Sequence, residues 1–305
     1  MKNSVFAVFK NGRSWLVASG AALVAVGMVP DNVSAHGFVG DYFFPPTITT
    51  DDPFATDEFS FPTVSWFKAD GVATTDISFE FDKEIFPKFT LGIAGDYLFQ
   101  RPEGGPGTSG WDDFVASAKY QLWENAPHQA ILSVGAEWQI GGSGSSEVGA
   151  DSTHVLTPTI YYGKAFGDLP DALNYAKPLA VTGTLGLDLP TRAEPNNLQW
   201  GFAVEYSLTY LQQEVKDIGL PAPFKTMIPL VEFSMTSPLN RGGGQTTGTI
   251  NPGVLYGNPH FQIGAEALIP VNSVSGHTVG FVVQVQWFID DLWPKVFGHP
   301  IFGSR

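Results

Sequence analysis

A period of two in hydrophobicity runs along most of this chain and restricts the folds open to it. In residues 279–289, every second side chain is bulky and apolar, while those between are small or polar. The bulky set is Val279, Phe281, Val283, Val285, Trp287 and Ile289. Residues 200–210 and 76–82 repeat the pattern. Because successive side chains of a strand point to opposite sides, these segments are predicted to be two-faced β-strands.

The same alternation predicts about twelve strands. They fall near residues 61–69, 73–83, 89–100, 111–123, 129–140, 153–165, 178–189, 198–211, 225–237, 248–257, 260–270 and 278–290. Most approach the roughly 9–11 residues that a tilted strand needs to cross a bilayer, whereas soluble strands average about five or six. Prolines at 158, 229 and 252 fall inside these ranges, where we expect bulges to absorb them.

The orientation of the two faces follows from the number of strands. Twelve long strands with their bulky side inward would enclose an interior too wide for side chains to fill. With the bulky side in lipid and the small polar side around water, the same strands form a membrane barrel whose backbone groups are all paired. The sequence therefore predicts an all-β protein: a single antiparallel transmembrane β-barrel of about 12 strands.

The first 35 residues have the features of a cleaved signal peptide. Lys2, Lys10 and Arg13 precede an apolar run at 15–29, and small residues at 33–35 suit a cleavage site. The run is shorter than the roughly 20 residues of a membrane-spanning helix. We expect export to the outer membrane of a Gram-negative bacterium, with His36 as the new N-terminus.

The rest of the chain divides into three predicted parts. Residues 36–58 are rich in Pro, Asp and Thr and are expected to plug the lumen or to hang into the periplasm. Residues 59–292 form the predicted outer-membrane barrel, and residues 293–305 extend beyond it.

Composition and charge exclude several classes of function. Charged residues make up 15% of the 305 residues, against about 25% in an ordinary soluble domain. The absence of cysteine excludes disulfides, thiolate metal sites and cysteine nucleophiles. A net charge of −14 argues against nucleic-acid binding, which needs a basic surface. The expected partners are outer-membrane lipid and small solutes or cations, and the barrel is expected to be monomeric.

Several short motifs carry a resemblance to a known group of proteins. They are His36-Gly37-Phe38, Phe43-Phe44-Pro45, Thr50-Asp51-Asp52-Pro53-Phe54, the run from Gly163 to Pro170, the run from Trp200 to Tyr206, the run from Gly248 to Gly253, and Ile289-Asp290-Asp291-Leu292. With these motifs the chain resembles a group of proteobacterial outer-membrane β-barrel transporters and is similar in architecture to barrels of the MetA-pathway phenol-degradation family. The resemblance implies an outer-membrane barrel and identifies no solute.

Acidic residues on the polar faces are the clearest candidate site. The alternation points them into the lumen, where Lys119 is the one obvious base among the predicted strands. These candidate lumen-lining acids are Glu80, Asp96, Glu137, Asp188, Glu205, Glu232 and Glu266. A water-filled lumen ringed by carboxylates favours cations. The leading hypothesis is therefore an outer-membrane channel or transporter for small solutes with a preference for cations, and not an enzyme.

Two other hypotheses remain open at this stage. A free amine and imidazole at a mature N-terminal His36 can chelate Cu(II), which would make the chain a binding or structural barrel with copper as its only cofactor. A second ligand would come from the remaining histidines: His128, His154, His260, His277 or His299. The third hypothesis, a lipid or ester hydrolase at the barrel rim, rests on Ser152 near His154 and Ser275 near His277.

Overall fold

The computed structural model describes residues 37–192, 194–240 and 243–303, and the predicted signal peptide and His36 lie outside these residues. A two-residue hairpin, Phe38–Val39 (β1) and Tyr42–Phe43 (β2), precedes the main sheet. The main sheet contains the strands Glu58–Ala69 (β3), Val72–Phe86 (β4), Phe89–Pro102 (β5), Thr108–Trp111 (β6), Val115–Asn125 (β7), Ala130–Gln139 (β8), Val155–Ala165 (β9), Leu179–Pro190 (β10), Asn197–Tyr206 (β11), Met227–Pro238 (β12), Thr247–Gly257 (β13), Phe261–Pro270 (β14) and Gly280–Phe288 (β15).

The main sheet closes on itself. Each strand pairs antiparallel with its neighbours in the chain, and the last strand, β15, pairs with the first, β3. Strands β6 and β7 both pair with β5 and are two pieces of one barrel strand, so the barrel has twelve strands. The predicted fold class is confirmed. Closure gives every barrel strand two neighbours except the short β6, which pairs with β5 alone, so the backbone hydrogen bonds continue around the ring.

The two faces lie as the alternation predicts. Along β15, Phe281 and Val283 are exposed on the outer surface, while Val282, Gln284 and Gln286 are buried inside. The same division holds along β11, where Val204 faces outward and Glu205 faces inward. The outer surface is therefore apolar and the inner surface largely polar.

The three strand prolines do not produce the expected bulges. At Pro158 and at Pro252, the pairing with one neighbouring strand is interrupted, but the register is the same on both sides of the interruption. Pro229 lies one residue beyond the last pair between β12 and β11. A proline needs no acceptor at such a position, because it has no N–H to donate. The bulge that involves a proline lies instead in β3, between Ser60 and Thr63, at Pro62.

Two strand ends were also predicted wrongly. Ile289, placed in the outward set of the last strand, is buried at the start of a short helix, Ile289–Leu292. The predicted strand 198–211 ends at Tyr206, because the Ser207 hydroxyl accepts a hydrogen bond from the Tyr210 amide and starts a helical turn. The turn is followed by a π-helix at Leu211–Val215. A 3₁₀ helix at Asp171–Ala176 occupies the other long connection at this end of the barrel. Within the described residues, no helix is both long enough and apolar enough to cross a membrane.

The break between β6 and β7 shapes the opposite end of the barrel. Here the chain leaves the sheet at Asp112 and Asp113, and the loop that follows β8 binds to it. The Asp113 carboxylate accepts a hydrogen bond from the Gly144 amide at 2.9 Å, and the Phe114 amide donates to the Ser143 hydroxyl at 2.8 Å. This loop is therefore held against the barrel wall.

The orientation of β15 yields a stability prediction. Val283→Arg places a charge on the lipid face near the middle of the strand, which is expected to cost about 2–4 kcal/mol of unfolding free energy in a bilayer. The matched control is Gln284→Lys, which adds a charge to the inner face and is expected to cost much less. Reversible unfolding of both variants in lipid vesicles measures the difference, and equal losses would contradict the assigned faces.

Candidate functional site

Residues 37–57 lie inside one end of the barrel, the end at which β3 begins. Val39, Tyr42 and Phe44 are fully buried and pack against residues of β8, β9 and β10, including Ile131. The Tyr42 hydroxyl donates a hydrogen bond to the Pro178 carbonyl at 2.9 Å. We call residues 37–57 the inner segment. It occupies the lumen at this end and turns back at residues 48–52 before β3.

Glu232 on β12 anchors the turn of the inner segment. Its carboxylate accepts hydrogen bonds from the Ile48 amide at 2.7 Å, the Thr49 amide at 3.0 Å and the Thr49 hydroxyl at 2.7 Å. Asn251 on β13 donates to the same hydroxyl at 2.8 Å. Three hydrogen bonds converge on this one side chain, so Glu232 fixes the depth of the turn.

Lys119 on β7 anchors the other side of the same turn. Its ammonium group lies 2.8 Å from the Asp51 carboxylate and donates to the Asp52 carbonyl at 3.0 Å. It also lies 4.8 Å from the centre of the Tyr161 ring, close enough for a cation–π contact. Burial raises the pKa of the Asp52 carboxyl well above its usual range. The barrel thus holds the inner segment by an acid on one wall and a base on another.

A cavity of about 730 Å³ lies in the lumen beside the inner segment. We call it the vestibule. Lys119 is the one basic residue among the described residues that line it, against eleven acids. These are Asp51, Asp52, Glu58, Glu80, Asp82, Asp112, Asp113, Glu137, Asp151, Asp188 and Glu194. The vestibule wall is therefore strongly acidic.

Polar side chains on adjacent strands hold the acid Asp188 in place. Thr157 on β9 donates to one of its oxygens at 2.9 Å, and Gln199 on β11 donates to the other at 2.7 Å. Thr236 on β12 in turn donates to Gln199 at 2.6 Å. The register places Glu137 directly opposite Thr157, which extends the row to β8. The Asp188 carboxylate is thus held by side chains from both neighbouring strands.

The seven predicted lumen acids all lie on inner faces, but they do not form one ring. Glu80, Glu137 and Asp188 line the vestibule. Asp96 shares the inner face of β5 with Thr90 and Ala94. In contrast, Glu205, Glu232 and Glu266 are buried, with Glu232 in direct contact with the inner segment. The expectation of a single water-filled lumen is wrong for these three, because the inner segment fills that part of the interior.

The structure adds acids that the strand alternation does not reveal. Asp51 and Asp52 come from the inner segment, while Asp112, Asp113 and Asp151 come from breaks and loops. For Asp51 and Asp52, the sequence offered one indication of a role in the lumen, which is the high Asp content of residues 51–57. Asp112, Asp113 and Asp151 lie outside regular strands, where tertiary contacts determine the backbone path. The period-two alternation therefore cannot predict which way these side chains point.

The copper hypothesis is not tested by the described residues, because His36 lies outside them. Two of the candidate partner histidines have other contacts. His128 hydrogen-bonds Asp168 at 3.0 Å, which lowers the pKa of that carboxyl, and His154 accepts from the Gly141 amide at 3.1 Å. Within the described residues, no group of three or more histidine or acidic side chains is arranged to hold a metal ion.

The two serines of the hydrolase hypothesis contact groups other than the nearby histidines. The Ser152 hydroxyl is hydrogen-bonded by the Arg192 guanidinium. The Ser275 hydroxyl donates to Asn272 at 3.0 Å and accepts from the Gly248 amide at 2.9 Å. Neither contact forms the serine–histidine pair that nucleophilic catalysis needs.

These features define the class of protein. A closed barrel of twelve long strands, apolar outside and polar inside, is an outer-membrane β-barrel, and the protein is located in the bacterial outer membrane.

The chain is also similar to solved outer-membrane proteins. The NanC porin is 8% identical over 76% of this chain and 98% of that one, with a TM-score of 0.45. The KdgM porin is 13% identical over 75% and 98%, with a TM-score of 0.42. An outer-membrane channel from Pseudomonas putida F1 is 12% identical over 80% and 98%, with a TM-score of 0.49. No protein-family model and no curated protein matches the chain, so the resemblance to phenol-degradation barrels stays a prediction.

The Lys119 anchor yields a prediction about the inner segment. Lys119→Met removes the ion pair with Asp51 and the hydrogen bond to Asp52, so the turn is expected to open more often. The amides of residues 48–54 are then expected to exchange hydrogen about tenfold faster, which corresponds to about 1.4 kcal/mol. Lys177→Met is the control, because it breaks the exposed pair with Asp171 outside the lumen. Unchanged exchange in the Lys119 variant would contradict the anchoring role.

Proposed function

We propose that the protein is a channel for small hydrophilic solutes that favours cations. The acidic wall of the vestibule carries this proposal: among the described residues, eleven carboxylic residues and one lysine surround a cavity of about 730 Å³. A cavity lined by charge of one sign and enclosed by a low-dielectric wall concentrates ions of the opposite sign. Rings of Asp and Glu select cations in this way in other channels.

The charges of the vestibule are close enough to act together. Screening at physiological ionic strength reduces interactions over about 8 Å, so neighbouring carboxylates around a cavity of this size reinforce one another. Asp188 contributes most directly, because hydrogen bonds from Thr157 and Gln199 fix the position of its carboxylate. A passing cation thus meets a carboxylate that is already held in place.

The inner segment limits the rate of passage. It fills the lumen at the end where β3 begins, and its turn forms part of the vestibule wall. The path for solutes therefore runs between this segment and the barrel wall, and we expect a small conductance. Diffusion down a gradient needs no cofactor and no chemical step, and a single barrel encloses the whole path, so a monomer in outer-membrane lipid is sufficient.

Planar-bilayer recording tests the selectivity. Under a KCl gradient, the reversal potential of the protein is expected to show that K⁺ permeates better than Cl⁻. The double variant Glu137→Gln/Asp188→Asn is expected to lower the permeability ratio by about fivefold for each charge lying within 4 Å of the ion path, the equivalent of about 1 kcal/mol in water. The effect is expected to shrink in high salt.

The control is a second variant with the same loss of charge. Asp171→Asn/Glu214→Gln removes two exposed carboxylates from the helical connections outside the vestibule, and its permeability ratio is expected to stay at the starting value. A preference for Cl⁻ in the starting protein, or equal effects of the two double variants, would refute the proposed role of the vestibule acids.

A further inference from the structure

The chain beyond β15 folds back against the barrel wall. Residues 293–302, which we call the C-terminal segment, follow the short helix at the end of β15. The end of β4 extends past the pair at which β3 begins, and the segment lies beside it. The Ile301 amide donates to the Glu84 carbonyl at 3.2 Å, and the Phe302 amide donates to the Ile85 carbonyl at 2.9 Å. Backbone hydrogen bonds therefore fix the segment to the barrel.

The C-terminal segment lies on the outer side of the wall. The ring of Phe297 packs edge-on against the ring of Phe81, with 6.2 Å between their centres. Phe81 lies directly opposite Ile93 on β5, which is exposed on the outer surface. The Lys83 ammonium group, also on β4, donates to the His299 carbonyl at 2.9 Å. The segment thus covers part of the outward face of β4.

A row of aromatic residues sets the level of this contact along the barrel. Phe81 on β4 lies directly opposite Phe59 on β3, and Phe59 lies directly opposite Trp287 on β15. Girdles of aromatic residues mark the two interfaces between the bilayer and water in outer-membrane barrels. Because Phe297 packs against this row, the segment lies at the level of the interface.

The side of the segment that faces away from the barrel is apolar. Its four large apolar side chains on this side are each more than half exposed, and an exposed lysine lies among them. These residues are Trp293, Lys295, Val296, Ile301 and Phe302. The surface continues onto the barrel, since the ring of Phe302 packs 5.5 Å from that of Phe86, which is itself half exposed beside β5.

The position of this apolar surface indicates what covers it. It is continuous with the lipid-facing wall of the barrel and lies at the level of the aromatic row, so the bilayer reaches it without any change in the protein. Tryptophan is enriched at membrane interfaces, because its ring is apolar and its N–H is polar. A lysine at this level can keep its charge among the head groups while its carbon chain stays in the apolar layer.

From this arrangement we propose that the C-terminal segment is an interfacial anchor that binds phospholipid. Trp293, Val296 and Phe302 enter the boundary between head groups and acyl chains, and Lys295 binds a head-group phosphate. Binding of this kind grows with the buried apolar area and with attraction to anionic lipid. The segment therefore adds a lipid contact beyond the strands and helps to set the depth of the barrel in the bilayer.

Labelling at a single cysteine tests the anchor, because the native chain has no cysteine. A fluorophore is attached to Val296→Cys in nanodiscs that hold one barrel each, so a second copy cannot cover the surface. Phospholipids with a nitroxide on the acyl chain quench fluorophores that contact them. The Val296 label is expected to lose about as large a fraction of its fluorescence as a label at Ile93→Cys on the lipid face. A label at Glu147→Cys, on an exposed loop, is expected to be quenched little.

A pair of charged variants identifies the side chains that hold the segment in lipid. With the label at Val296→Cys, the added changes Trp293→Asp/Phe302→Asp are expected to reduce quenching towards the level of the loop label, since charges are costly on a lipid-facing surface. The matched control is Leu173→Asp/Tyr175→Asp, which adds the same charge to two exposed apolar residues of a helical connection. It is expected to leave the quenching unchanged.

Two results would overturn the anchor. Quenching at Val296 no stronger than at Glu147 would place the segment in water, where the exposed surface would instead be free for a protein partner. Equal quenching in the two charged variants would show that Trp293 and Phe302 do not hold the segment in lipid. Neither result bears on ion selectivity, which is measured separately by reversal potentials, so the anchor and the channel proposal stand or fall independently.

Discussion

Closure of the backbone hydrogen-bond ladder is the constraint on which the rest of this structure depends. In a bilayer each unpaired peptide group is costly, and a ring of antiparallel strands is the arrangement of strands that pairs them all. Once the ring closes, alternate side chains must point to lipid and to the interior. The apolar outer surface and polar inner surface follow from that geometry, and so does an interior wide enough to hold a length of the chain itself. The interruptions of the ladder are correspondingly short, and two of them lie at prolines, Pro158 and Pro252.

The inner segment shows how such an interior is filled without an apolar core. The first part of the segment packs through aromatic side chains, including the contact between the rings of Tyr42 and Phe44. Its turn is held by hydrogen bonds to Glu232 and by an ion pair with Lys119. Aromatic rings can be buried against many apolar partners. The polar contacts need partners at fixed positions, and they therefore determine where the turn lies.

The sequence predicted the barrel well because period-two alternation depends on local geometry alone. The outward and inward positions of β15 and β11 agree residue by residue with the structure. The sequence predicted the site less well because burial within the lumen depends on contacts between distant residues. Glu137 and Glu232 are indistinguishable in the alternation, yet one lines a cavity and the other binds the Thr49 amide 183 residues earlier. The strand end at Tyr206 was misplaced because alternation persists to Tyr210, while the Ser207 hydroxyl ends the strand.

The interruption between β6 and β7 has a consequence for the entrance of the barrel. A continuous strand would have kept Asp112 and Asp113 within the sheet. Because of the break, the Asp113 carboxylate can accept hydrogen bonds from the loop that follows β8. The donors are the Gly144 amide and the Ser143 hydroxyl. These hydrogen bonds hold the loop against the wall, so the rim at this end keeps a fixed outline where the loop crosses it.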